Sequence, residues 1–184
     1  FCNSETTNEL VFTTQNTVGI TTYTWTNDDT SIGLAASGSG NIPSFVAFND
    51  TNAPVVAIIT VTPFFDNAGL PCTGPSEDFT ITVNPTAQVD DPADQVVCNG
   101  EITDVVFTTQ NIIGTSYSWT SDIDIGFGLS GIGDDFSFTA INDGTNPIIA
   151  TVTVTPSLEN LGVQCVGASE DFTITVNPTA HVDD

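Results

Sequence analysis

The sequence predicts an all-β protein built from two copies of one sandwich module. Three observations carry that prediction. The stretch SEDFTITVNPTA occurs twice, at Ser76–Ala87 and at Ser169–Ala180. Short segments with period-two alternation follow one another between Gly, Asn, Asp and Pro turn signals, as half-buried antiparallel strands do. No window shows a sustained helical period. Around the repeated stretch, Gly74–Asp91 and Gly167–Asp184 differ only at Pro75/Ala168 and Gln88/His181. The copy spacing drifts from 96 residues at Cys2/Cys98 to 93 at Pro85/Pro178, as small loop insertions and deletions would produce. A period above 90 residues is too long for a solenoid coil and marks successive beads.

In the second copy, Asp94–Cys98 reads as a short first strand. Asp104–Gln110 follows, ended by Asn111 and Gly114. Ser116–Thr120 places Tyr117 and Trp119 on one face. Gly126–Gly133 is glycine-rich and reads as an edge strand with turns. Asp135–Ile141 turns Phe136, Phe138 and Ala140 inward, and residues 142–147 form a dense turn cluster. Ile148–Thr155 is the longest strand, and Pro156, lacking an N–H, should end it. Asp171–Val176 closes the module with Phe172, Ile174 and Val176 inward. The first copy repeats the plan with Leu10–Gln15, Thr22–Thr26, Ser44–Phe48, Pro54–Thr62 (stopped by Pro63) and Asp78–Val83. Residues 1–87 and 95–180 are therefore the two domains. Residues 88–94 are a Pro-stiffened linker between them, and residues 181–184 begin the next one. Phe1-Cys2 aligns with Val97-Cys98, and Val182–Asp184 with Val89–Asp91, so the chain is expected to come from a longer array.

Charge narrows the function. There are 23 acidic residues and no Lys or Arg. Phosphate recognition needs cations, which argues against nucleic acid and anionic membrane surfaces as partners. Strong like charge keeps chains soluble and apart. The longest aliphatic run is Val55–Ile59, too short for a membrane span.

Four cysteines fall one early and one late in each copy, with no metal-like spacing. They predict two disulfides within the modules, Cys2–Cys72 and Cys98–Cys165, and hence an extracellular or cell-surface location. Closing loops of this length would remove denatured-state entropy worth roughly 4 kcal/mol each.

Tyr23 with Trp25, and Tyr117 with Trp119, share one strand face and are expected as core rather than as a sugar platform. The linker acids Asp90, Asp91 and Asp94 are the candidate calcium ligands, since Ca²⁺ takes six to eight oxygens. Asp28-Asp29, Asp122, Asp124 and Asp134-Asp135 are further loop acids. Asn49-Asp50-Thr51 fits an N-glycosylation sequon without a counterpart in the second copy. His181 is the sole His and replaces Gln88 of the first copy. No Ser/His/Asp, HExxH, P-loop or Rossmann pattern occurs, and the chain reads as non-enzymatic.

Taken in order, Tyr117-x-Trp119, Gly131, Val154-Thr155-Pro156, Cys165, Gly167 and Phe172–Pro178, with their first-copy equivalents, resemble the PKD-like and Ig-like tandem repeats of large secreted bacterial surface proteins, especially of Bacteroidetes. The WDFGDG signature of PKD domains proper is absent, since Thr120-Ser121-Asp122 follows Trp119. The resemblance implies two tandem seven-stranded Ig-like sandwiches and a spacer, adhesive or fibre-forming role. The leading expectation is a stalk or filament whose partners are neighbouring repeats or identical chains. The alternative is an adhesin module that takes glycan or a cell-surface protein through its loops, and a third is an accessory domain of a secreted hydrolase.

Overall fold

The computed structural model describes residues 1–109 and 112–181. Gln110 and Asn111, expected as a strand end and its turn, lie outside the described residues, as do Val182, Asp183 and Asp184 of the expected next linker. The chain divides into two compact units, Phe1–Pro85 and Thr86–Asp184. Both are built from strands, and a 3₁₀ turn lies at Thr30–Ile32.

In the first unit, β1 (Ile20–Asn27) lies between β2 (Ser37–Ser39) and the long β3 (Val55–Asn67). The far edge of β3 pairs successively with β5 (Glu77–Val83) and β4 (Leu70–Thr73). The expected strands Leu10–Gln15 and Ser44–Phe48 appear only as the antiparallel bridges Thr6↔Val46 and Leu10↔Ile42. Alternation of β3 buries Ala57, Ile59 and Val61 against Trp25, Ile81 and Val83.

The second unit develops the same plan further. Its main sheet runs β6 (Gln95–Cys98), β13 (Glu170–Asn177), β11 (Ile148–Asn160), β8 (Thr115–Ser121) and β9 (Ser130–Ile132), with β12 (Val163–Val166) also on β11. The facing layer is β7 (Ile102–Val106) paired with β10 (Asp135–Thr139). Eight strands are thus described here, one more than the seven expected. The core lies between the layers: Val105, Phe107, Phe138 and Ala140 from one side, Tyr117, Trp119, Val152, Val154, Phe172 and Ile174 from the other.

Neither proline ends its strand, contrary to the sequence expectation. β3 continues through Pro63 to Asn67, and β11 through Pro156 to Asn160. Tyr23 pairs with Pro63, and Tyr117 with Pro156. The carbonyls of Pro63 and Pro156 accept from the N–H groups of Gly74 and Gly167, at 2.9 Å in both cases. N and O of one strand residue point to the same side, so each missing N–H faces the edge where one partner strand hands over to the next. The ladder loses no donor it needed. The strands β4 and β12, unforeseen from sequence, exist because this extension gives them a partner.

The glycine-rich stretches have a packing reason. A Cβ at Gly38 would collide with the indole of Trp25, and one at Gly131 with that of Trp119. A bare backbone lies over each ring, so Trp25 and Trp119 stay 4% and 5% exposed.

Candidate docking groove

The cysteines do not pair within modules. Cys72 and Cys98 carry free, exposed thiols, whereas Cys2 and Cys165 are each disulfide-bonded. Strand register forbids the expected pairings. In the first unit Cys2 bridges to Asn84, next to the Val83↔Val55 pair, while Cys72 pairs with Phe65. Val55 and Phe65 are ten residues apart on β3, roughly 33 Å at about 3.3 Å per residue. A disulfide tolerates about 7 Å between Cα atoms. The second unit repeats the geometry: Cys98 sits opposite Asn177 near the start of β11, and Cys165 opposite Leu158 ten residues along it. Early and late cysteines occupy opposite poles of each unit.

The calcium expectation finds no assembled ligand set. Among the described residues no group of three or more His, Cys, Asp or Glu is placed to hold a metal ion. Asp90 and Asp94 do separate structural work. The Asp90 carboxylate accepts from the Thr108 hydroxyl at 2.7 Å, and Asp94 accepts from the backbone N–H of Thr173 at 2.7 Å. The backbone bond from Thr173 holds the Asp94 carboxyl below its ordinary range. Asp91 is exposed.

The loop acids act likewise. Asp28 and Asp122, equivalent in the two copies, accept from Ile58 and Thr151 N–H at 2.6 and 2.7 Å. Asp124 accepts from Gly126 and Gly128, which depresses its pKa, and Asp29 is lowered by its bonds from Ser31. In a chain without Lys or Arg, backbone N–H groups supply positive partners for these carboxylates. The sequon asparagine is also committed. Asn49 is 3% exposed and its amide donates to Ala53 and Val83 carbonyls. Asn142 makes the same pair of bonds, to Asn146 and Val176, so the side chain is a structural clamp in both copies. His181 is exposed.

Tyr23, of the first aromatic pair, lines a groove that the sequence did not reveal, while Trp25 packs in the core. In the first unit Phe12, Thr13, Tyr23, Pro63, Phe65 and Gly74 line a largely apolar groove of about 580 Å³. Phe12, Tyr23 and Phe65 are half-buried, and the Tyr23 hydroxyl is buried with no hydrogen-bond partner. The equivalent residues of the second unit are Phe107, Thr108, Tyr117, Pro156, Leu158 and Gly167. There the chain segment Thr86–Asp91 lies on them. Ala87 is 1% exposed and clusters with Ile112 and Leu158. Its carbonyl lies against Gly167, where a Cβ would collide with it. Val89 packs on the core, and the Asp90 N–H donates to the Thr108 carbonyl at 2.8 Å. Covered in this way, Phe107, Tyr117 and Leu158 fall to 3%, 5% and 6% exposure. Burial first, then the nearby charges of Asp90 and Asp134, pushes the Tyr117 phenol upward. Residues 88–94, expected as a linker, thus belong to the second unit.

No protein-family model and no curated protein matches the chain. Solved structures with a similar arrangement include DIP-gamma IG1+IG2, at 8% identity and TM-score 0.39, covering 86% of this chain and 84% of that one. Dpr11 IG1 bound to DIP-gamma IG+IG2 gives 9% identity and TM-score 0.37, over 88% of this chain and 86% of that one. The I9–I11 tandem of titin gives 14% identity and TM-score 0.33, over 95% of this chain and 66% of that one.

Proposed function

We propose that the chain is a non-enzymatic structural segment of an extracellular stalk or filament. One observation carries the reading: the segment entering the second unit is part of that unit's packing. Ala87 is buried, Asp90 is bonded to Thr108, and Asp94 is bonded to Thr173. A tether left free would give each repeat its own orientation, whereas a packed entry segment makes every repeat meet its predecessor's chain in one way. The disulfide-bonded Cys2 and Cys165 favour an oxidising, extracellular compartment. The acidic surface discourages lateral collapse of neighbouring stalks.

Immunogold labelling of intact producing cells tests this reading. Gold along projections outside the cell supports it, and gold confined to the cytosol sinks it. A glycan and surface-protein binding screen tests the adhesin reading instead. Saturable binding lost on mutation of the 124–133 loop would replace the structural role by an adhesive one.

A further inference from the structure

We propose that the outer face of the second unit carries a binding site for a neutral saccharide chain, in a trough with Ser116, Ser118 and Ser157 as its floor and Ile132 and Gln164 as its walls. The proposal goes beyond the structural role, since a site on the paired strands of a repeat leaves the packed entry segment as it is.

Strand order builds the trough. β9, β8, β11 and β12 are neighbours in that order. Side chains alternate between the two faces of each strand. On the two central strands the outward positions are small: Ser116 pairs with Ser157, and Ser118 with Thr155. On the flanking strands they are larger. Ile132 stands opposite Ser118 on one side, and Gln164 lies on β12 at the other. These residues line a cavity of about 530 Å³, within the range of roughly 300–1,000 Å³ usual for small-ligand sites.

The chemistry of the lining selects the ligand. The chain carries 23 acidic residues, yet no carboxylate lines the trough, so a cationic ligand finds no counter-charge there. An anionic ligand meets no Lys or Arg and is repelled by the net charge of −23. An added peptide strand needs an open backbone edge, but β8 lies between β9 and β11, and β11 between β8 and β12. The floor offers hydroxyls, which both donate and accept. The Ser116 and Ser157 hydroxyls bond each other at 3.0 Å, and each keeps acceptor capacity for an incoming hydroxyl. The Gln164 amide adds donors and an acceptor. Ile132, 86% exposed, presents an apolar surface. A neutral ligand with hydroxyls on its edge and C–H groups on its faces matches that set, and a sugar ring is such a ligand.

The first copy supplies an internal comparison. Its equivalent floor positions are Thr22, Thr24 and Phe64, with Ser39 and Pro71 on the flanking strands. A phenyl ring stands where the second copy has the Ser157 hydroxyl, and Ser39 and Pro71 reproduce neither the Ile132 nor the Gln164 wall. The sheet is common to both copies; the trough's chemistry belongs to the second.

Amide NMR of the isotope-labelled full chain tests the site by titration with cellohexaose, laminarihexaose and mannohexaose, with hexagalacturonate as the anionic comparison. At least one neutral hexasaccharide should bind saturably and shift the amides of Ser116, Ser118, Ser157 and Gln164, and hexagalacturonate should not. Ser157→Phe installs the first copy's own residue and should weaken binding at least about tenfold, the loss of one or two hydrogen bonds and of the space above them. Gln164→Ala changes an exposed side chain and should weaken binding in the same sense, so the test stands even where Ser157→Phe shifts the melting transition. Ile132 belongs both to the trough and to the 124–133 loop, and these two strand variants separate the trough from a loop site. No saturable binding of any neutral hexasaccharide, equal binding of hexagalacturonate, or binding that both strand variants leave intact overturns the proposal. The immunogold outcome is independent of all of these results.

Discussion

Gly167→Ala and Gly74→Ala put the same methyl at equivalent positions and should have different consequences. Neither glycine has positive φ, so alanine fits both backbones. At Gly167 the new Cβ collides with the Ala87 carbonyl and meets Pro156 Cγ at 3.0 Å. Those are backbone and ring atoms with little freedom to yield, so the Thr86–Asp91 segment has to shift. Overpacking of this kind costs about 1–3 kcal/mol. Re-exposing part of Leu158, Tyr117 and Val89 acts in the same direction. Taking about 2 kcal/mol, the melting transition of a unit of this size should fall by roughly 8–16 °C. At Gly74 the methyl meets only Pro63 Cγ at 3.0 Å, which a slight ring adjustment relieves. That variant should melt within about 4 °C of wild type, as surface substitutions within ±0.5 kcal/mol do. Differential scanning calorimetry under dilute conditions reads both. Equal shifts in the two variants would refute the claim that the entry segment is an integral part of the second unit.

Gly131→Ala should lower the melting temperature by an amount equivalent to about 1–3 kcal/mol, because its Cβ meets the Trp119 indole; near-UV circular dichroism should show the altered indole environment. Asn142→Ala leaves the Asn146 and Val176 carbonyls and the Gly144 N–H without their partner and should cost about 2–4 kcal/mol by denaturant titration. Asp94→Asn tests a carboxylate that the Thr173 backbone N–H holds below the ordinary aspartate range. A depressed carboxylate contributes stability that is present above the unfolded pKa and lost as pH falls through the folded one. The difference in melting temperature between Asp94→Asn and wild type should therefore be full at pH 6 and shrink below pH ~4; a pH-independent difference would show that charge plays no part. Under native, non-reducing, dilute conditions, N-ethylmaleimide followed by mass spectrometry should label Cys72 and Cys98 and spare Cys2 and Cys165.

Much of the fold was legible because alternation and turn chemistry are local signals. The strands through Trp25, Trp119, Ile59 and Ile174 lie where period-two burial places them. Pro63 and Pro156 misled because a missing N–H matters only if a partner strand waits for it, and which edge each proline faces is a matter of pairing. The disulfides misled for a related reason. Order along the chain put Cys2 with Cys72 and Cys98 with Cys165, but register separates each pair by the length of a strand.

The repeated stretch already contained, as TAQVDD, the segment that covers the groove of the second unit. Composition alone removed every cation that phosphate recognition would need, and repetition alone set the module count. Only the folded chain could bring Thr108, Leu158 and Gly167, fifty-nine residues from first to last, onto one face around Ala87. Alternation decides which side of a strand faces inward, but the neighbour it meets there is chosen by long-range pairing, and that choice has no local signature.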